Sequence, residues 1–361
     1  MVRRREDEVL EIIKSDPLIS QKEIAERLGI TRSSVGVHVN NLTKSGKIIG
    51  RGYVLPSIDS ICIIGASNID IYGRALEPLE KEGPNVGDIE VSVGGVSRNI
   101  ADSSSKLGLN INLITAISND EYGRLIQDSC LKEGLRIDKS CIFNNKPTSF
   151  YMGLVNQHGV LEYGITDMSI IDEITPAFIN HRKAEILNSR FILLDLNLKD
   201  KTVEFILKNF KEKDIMVLPV SPMKTKKIRG LLQYIDLLQM TIPELEAISE
   251  TSIENDDDLK KVCKNLLDQG LGELIVFKNY NRLQYFSKDR VEEVTIEVEK
   301  PANDQGAKEA QAAGFIYARY NGLDLIESLK LALAAGSIIG DSNQVVSPWL
   351  SEESLYERAG L

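Results

Sequence analysis

The chain has 361 residues, 42% hydrophobic and 27% charged, with a formal net charge of −10. That is the composition of a soluble globular protein long enough for one large domain and a small one. No run approaches the ~18 uninterrupted apolar residues of a membrane span, and the start MVRRREDEVLEII carries acids where a signal peptide would be apolar, so a cytoplasmic protein with no membrane partner is expected. The charge divides unevenly, +3 over residues 1–55 against −13 over the remainder, which suits a head that meets phosphate backbones and a body that does not. Cys62, Cys130, Cys141 and Cys263 lack CxxC spacing and read as buried thiols, and His38, His158 and His181 lie too far apart to suggest a metal cluster.

The first 55 residues predict three helices and a hairpin. EDEVLEIIKS forms an amphipathic helix with Val9, Leu10, Ile12 and Ile13 on its apolar face, and Pro17 follows its end. Ser20 and Glu23 make an S-x-x-E capping box, flanked by Ile19 and Ile24 at the staple positions. The helix QKEIAERL then ends at Gly29. Thr31 caps a third helix that turns Val35, Val39 and Leu42 toward the core and Arg32, Ser33, Val37, Asn40, Asn41 and Lys44 outward. Hydroxyls, amides and cations bond phosphates or base edges, and an exposed valine can touch a thymine methyl. After Gly46, KIIGRGYVL predicts a wing with Arg51 at its tip. A small protein-interaction module would share the helices, but not the hydroxyl-rich third helix with a basic wing. The stretch from Ile19 to Leu55 resembles the winged helix-turn-helix of bacterial regulators, in the form found ahead of some sugar and nucleoside kinases.

After Pro56, the apolar runs SICIIGA, INLITAIS, RFILLDLN, DIMVLPVS and GELIVFK alternate with helical stretches. The alternation predicts a doubly wound, mostly parallel α/β sheet that binds ligands at the carboxyl ends of its strands. Asp70, after the first strand, is either a partner for ligand hydroxyls or an aspartate in a turn. Gly94-Gly95, with Asn99 on the helix that follows, allows close approach of backbone to a ligand or merely a tight turn. Asp167 lies between a strand-like run and a helix. Gly306 precedes a small-residue helix whose first-turn amides could bind an anion, as could those of any helix start.

GGVSRNIADSSSKLG, AISNDEYG and NDQGAKEAQAAGF together resemble the ribokinase-like (PfkB-type) sugar and nucleoside kinases, and the resemblance runs the length of residues 58–361. Within that family YGITDMSIIDEITPAFI, DLNLKD and LPVSPMKTKKI look most like pseudouridine kinase. The resemblance implies a small β lid from about residues 72–95 and 146–166. It also implies a ribonucleoside held by Asp70, Gly94, Gly95, Asn99 and Asp167, with ATP and Mg²⁺ as cofactors of an active member.

The phosphate-donor side departs from the family. Its G-A-G-D becomes Gly306-Ala307-Lys308-Glu309, which places Glu309 at the base position. The extra methylene displaces the carboxylate by about an ångström, enough to cost ~10²-fold. Lys308 is expected to crowd the transferred phosphate, or to pair with Glu309 or an anion. The metal-linked N-x-x-E becomes Pro243-Glu244-Leu245-Glu246, keeping only Glu246, and the T-x-G-x-x-G nucleotide loop reads Phe277–Arg282 with neither Thr nor Gly. A DNA-binding transcription regulator is therefore expected: a homodimer on a two-fold operator in duplex DNA, sensing a nucleoside or sugar with weak or lost phosphotransfer and no cofactor. The alternative is an active ATP-dependent kinase acting on a ribose 5-hydroxyl, with an autoregulatory head.

Overall fold

The computed structural model describes residues 5–49, 59–298, 305–342 and 344–361. Arg51 and the return strand of the expected wing lie outside the described residues.

The head contains α1 (Arg5–Ser15), α2 (Gln21–Leu28) and α3 (Arg32–Lys44). Ser20 caps α2 through the reciprocal box with Glu23, and Gly29 closes it in the left-handed region at φ 62°. Thr31 caps α3 by accepting from the Ser34 amide. Val9, Ile13, Ile19, Ile24, Val35, Leu42 and Ile48 form one buried cluster, with Val39 packed against it. The spacing of apolar residues thus dictated both the helices and their packed faces.

The body begins with β1 (Ser60–Ile64), β2 (Asn68–Ala75) and β3 (Gly87–Gly94), followed by α4 (Val96–Lys106), β4 (Asn110–Ile114) and β5 (Ala116–Ser118). Then come α5 (Glu121–Lys132), β6 (Cys141–Phe143), β7 (Phe150–Val155), β8 (Leu161–Asp167), α6 (Pro176–His181) and α7 (Lys183–Leu187). Next are β9 (Phe191–Asp195), α8 (Asp200–Asn209), β10 (Asp214–Leu218), α9 (Pro222–Thr225), β11 (Leu237–Thr241), α10 (Ile242–Ser249) and α11 (Asp256–Asp268). The chain finishes with β12 (Glu273–Asn279), β13 (Arg282–Ser287), β14 (Val291–Thr295), α12 (Ala307–Tyr320), α13 (Leu325–Ile339) and α14 (Glu352–Ala359).

Eight strands form the main sheet in the order β14-β13-β12-β11-β10-β9-β1-β4. The run β1, β9, β10, β11, β12 is parallel, and β13 and β14 add antiparallel strands at one edge. Parallel strands are covered on both faces, which is why β1 is buried at every position and reads as an unbroken apolar run. A second sheet, ordered β3-β2-β7-β8, is the small β lid. α12 and α13 pack through small residues: a Cβ on Gly314 would fall 2.7 Å from the Leu331 carbonyl oxygen. The four cysteines are buried free thiols. Among the described residues no helix is long and apolar enough to cross a membrane.

The chain divides into two compact units. One is the head with Ala177–Arg190; the other is Ile61–Pro176 with Phe191–Leu361. Segment 177–190 falls, by sequence, inside the kinase-like domain, yet packing joins it to the head. Gly46, at φ 75°, has so little room that a Cβ would lie 2.7 Å from that of Ala184. Asn188 Nδ2 donates to the Gly46 carbonyl oxygen at 2.8 Å.

Candidate ligand and phosphate site

Asp70 lies within β2 rather than in a turn. The strand pleat puts Asp70, Tyr72 and Arg74 on one face of the lid and Ile69, Ile71 and Gly73 on the other. Asn68 Nδ2 donates to Asp70 Oδ1 at 2.6 Å. Burial raises the Asp70 carboxyl to about 6, against the pull of the Asn68 bond and the Arg98 charge. Gly94 pairs with Asn68 across β2 and β3, and a Cβ there would fall 1.9 Å from Asp70 Oδ2. Gly94 is therefore required by the carboxylate's position. Gly95, at φ 104°, begins α4 where a Cβ would strike the Ala66 carbonyl oxygen at 2.5 Å.

Asn99 is buried one turn into α4, and its Oδ1 accepts from Arg98 Nη1 at 3.2 Å. Arg98 is itself fixed by Asp102 at 2.9 Å and by Ser129 Oγ at 2.7 Å. Asp167 ends β8, in the row that runs from Ile69 through Phe150. It is exposed, and its Oδ1 accepts from the Ser169 amide at 3.0 Å, which holds its carboxyl below the usual range. Asp70, Gly94, Gly95 and Asn99 are thus gathered where β2, β3 and α4 meet, while Asp167 caps the turn that leaves the lid. Two aromatic residues missed by sequence reasoning share the Asp70 face. Tyr72 and Tyr151 have ring centroids 5.7 Å apart. Burial pushes the Tyr72 hydroxyl up to about 12, and it is hydrogen-bonded to Gln305, just before α12. The alternation of the β2 sequence was the available signal for Tyr72.

α12 starts at Gly306, at φ 85°, where a Cβ would lie 2.0 Å from the Val345 carbonyl oxygen. Among the described residues no side chain caps this helix, whose first-turn amides are of the kind that bind an anion. Lys308 neither pairs with Glu309 nor projects as a free cation. Its Nζ donates to Glu244 Oε1 at 2.6 Å and Oε2 at 2.7 Å, and to the Pro219 carbonyl oxygen at 2.7 Å. Glu244 was overlooked in the sequence because it stands at an unspecified position of the N-x-x-E spacing. Here it is the third residue of α10, boxed by Thr241, whose amide donates to Oε2 at 2.8 Å.

Glu309 is half-buried, and desolvation raises its carboxyl above the ordinary range; Lys308 opposes this, while Glu244 and Asp195 reinforce it. Asp195 ends β9 fully buried and accepts from the Ala66 amide at 2.8 Å, Ser97 Oγ at 2.6 Å and the Asn197 amide at 2.8 Å. It braces the loop after β1 against the first turn of α4. A buried carboxylate closing an apolar strand was its sequence signal.

The remaining departures have structural uses. Glu246 Oε1 accepts from the Ile253 amide at 2.8 Å, closing the loop after α10. Residues 277–282 form a β-hairpin turn between β12 and β13, with Lys278 paired to Asp256 at 2.6 Å and Arg282 to Glu293 at 2.6 Å. On the head, Arg32, Ser33, Val37, Asn40 and Lys44 are exposed, Val37 by 58%. Asn41 is also exposed, but its Nδ2 donates to Glu6 Oε1 at 2.8 Å and ties α3 to α1.

Residues 58–350 match the pfkB family carbohydrate kinases. The chain belongs to that family. Residues 7–49 match the winged helix-turn-helix DNA-binding family. The uncharacterized sugar kinase YeiI of Escherichia coli (strain K12) is 29% identical, over 98% of each chain. The pseudouridine kinase of the same organism is 28% identical, covering 81% of this chain and 94% of its own. Among solved structures, a carbohydrate kinase from Agrobacterium tumefaciens superposes with a TM-score of 0.74 at 24% identity, covering 84% of this chain and 97% of that one. Ribokinase of Arabidopsis thaliana, complexed with ribose and ATP, superposes with a TM-score of 0.69 at 19% identity, covering 84% and 99%. Both confirm the ribokinase-like fold.

The family uses ATP and Mg²⁺. Among the described residues of this chain, no three His, Cys, Asp or Glu side chains gather to hold a metal ion. Glu244 is occupied by an ammonium and Glu246 by an amide. With that ammonium in place, Glu244 does not fit a resident divalent cation.

Proposed function

We propose that this pfkB family protein is a cytoplasmic, DNA-binding transcription regulator whose kinase-like domain senses a nucleoside or sugar, pseudouridine-like in class, with phosphotransfer weak or lost. The observation that carries the reading is Lys308, bound through three contacts to Glu244 and Pro219 at the first turn of α12. A phosphoryl-transfer centre needs bare backbone and a poised base there. This one presents a committed ammonium and a half-buried Glu309 whose carboxyl is held above its ordinary range.

The ligand half retains Asp70, Gly94, Gly95 and Asn99, with Asp167 at the rim. Glu309, Gly306, Ala307 and Lys308 line the anion end, and Glu246 keeps the family's metal-linked position while closing the loop after α10. In the head, Arg32, Ser33, Val37, Asn40 and Lys44 face the duplex, joined by Asn41 once released from Glu6; Arg51, the remaining candidate, lies outside the described residues. Signal transfer from lid to head has a covalent route. β8 leads through the turn Ser169–Glu173 into α6, and residues 177–190 belong to the head unit.

A homodimer fits the outer face of the lid. Two rows cross its four strands, Val91–Ile71–Met152–Ile165 and Ile89–Gly73–Leu154–Tyr163. Ile89 is 76% and Ile165 72% exposed, so a second copy would bury apolar surface.

The test is fluorescence anisotropy on a duplex selected from random sequence, with and without pseudouridine. The ligand should shift DNA affinity by about 5-fold or more, and log affinity should fall linearly with log salt. Unchanged affinity at saturating nucleoside would sink the sensor reading.

A further inference from the structure

Lys308 Nζ lies 2.6 and 2.7 Å from the two carboxylate oxygens of Glu244 and 2.7 Å from the Pro219 carbonyl oxygen. A carboxylate beside a main-chain carbonyl is the oxygen donor set of a hard divalent cation. Mg²⁺ would draw such oxygens in to about 2.1 Å. An ammonium fills the same space at its own longer hydrogen-bond distances. The Glu244 side chain is only 4% exposed, so its charge must be neutralised on the spot. Lys308 is 16% exposed and is carried on the second residue of α12, so this cation cannot dissociate. Gln239 Nε2 holds the Lys308 carbonyl oxygen at 3.1 Å, fixing the residue at its main chain as well.

We infer that the Lys308 ammonium is a covalently tethered substitute for a divalent cation in the cage formed by Glu244 and Pro219. The cage is then permanently occupied by a cation, and ligand binding is independent of metal. The inference rests on the proposed reading of a centre that binds without transferring phosphate, and it adds the identity of the resident cation.

Removing the tether should uncover the cage. In full-length Lys308→Ala protein, Mn²⁺ read by electron paramagnetic resonance should bind at one ion per chain, at least ~10-fold more tightly than to wild type. Mn²⁺ should also raise the Tm of this variant while leaving that of wild type unchanged. The Lys308→Ala/Glu244→Gln double variant should fold without metal and bind Mn²⁺ no better than wild type. The inference is overturned if wild type binds Mn²⁺ as tightly as the single variant. It is equally overturned if the single variant gains no binding, or cannot be recovered folded in millimolar Mn²⁺. Phosphate transfer by wild type would remove the functional reading and leave the Mn²⁺ comparison standing, so the two failures are distinguishable.

Discussion

Asp70→Asn should stabilise the protein near neutral pH while abolishing nucleoside binding. The Asp70 carboxyl is raised from 3.8 to about 6, chiefly by burial. Because the folded value is the higher one, the native chain holds a proton that the unfolded chain has released. Below about pH 4 both states are protonated and burial of the acid costs nothing extra. Between about pH 4 and pH 6 stability falls as pH rises, and above that the full cost is present. At 1.36 kcal/mol per pKa unit, that cost is at most about 3 kcal/mol. An asparagine keeps an acceptor for Asn68 Nδ2, fits beside Gly94 and carries no charge to desolvate. Urea unfolding across this pH range should show Asp70→Asn more stable than wild type above pH 6, by up to ~3 kcal/mol, with the gap closing toward pH 4. Isothermal titration should show the loss of pseudouridine binding. A variant less stable than wild type at neutral pH, or a gap independent of pH, would refute the argument that a desolvated carboxylate is maintained there for a ligand.

Gly94→Ala brings a Cβ to 1.9 Å from Asp70 Oδ2, so it should destabilise by ~1–3 kcal/mol and weaken nucleoside binding, measured by thermal shift. Gly46→Ala combines a left-handed backbone at φ 75° with a 2.7 Å approach to Ala184, and should cost ~2 kcal/mol or more in chemical unfolding. DNA affinity should fall with it, because the same residue ends the segment after α3. Ile165→Glu places a charge in the exposed apolar row of β8, and sedimentation should show the proposed homodimer in wild type and a folded monomer in the variant.

The three helices of the head were legible in the sequence. The capping box, the left-handed Gly29 and the buried stripe each follow from local rules that act over a few positions. The sheet was legible in its buried strands, although β11, whose run LLQMT is interrupted by polar residues, escaped notice. The sequence signals at Asp70 and Gly94 have a common structural basis, because the two positions constrain each other sterically. What escaped was long-range. Glu244 and Lys308 are 64 positions apart, and nothing local to either says that one neutralises the other. The attachment of residues 177–190 to the head is likewise set by packing of Gly46 on Ala184, two residues far apart in the chain. The altered loop at 306–309, read alone, looked like a crowded phosphate site. In three dimensions it is an internal ion pair beside an uncapped helix.

Turnover of the full-length protein with ATP, Mg²⁺ and pseudouridine tests the central claim most directly, with coupled detection of ADP. Working kinases turn over at ~1–100 s⁻¹. A misplaced base should cost about 10²-fold or more, and the committed Lys308 removes the open backbone as well. The base alone would bring that range down to ~0.01–1 s⁻¹, and loss of the open backbone lowers it further, so turnover at or below ~0.01 s⁻¹ is expected; a rate of ~1 s⁻¹ or more would show that Lys308 and Glu309 support transfer, and would contradict the account.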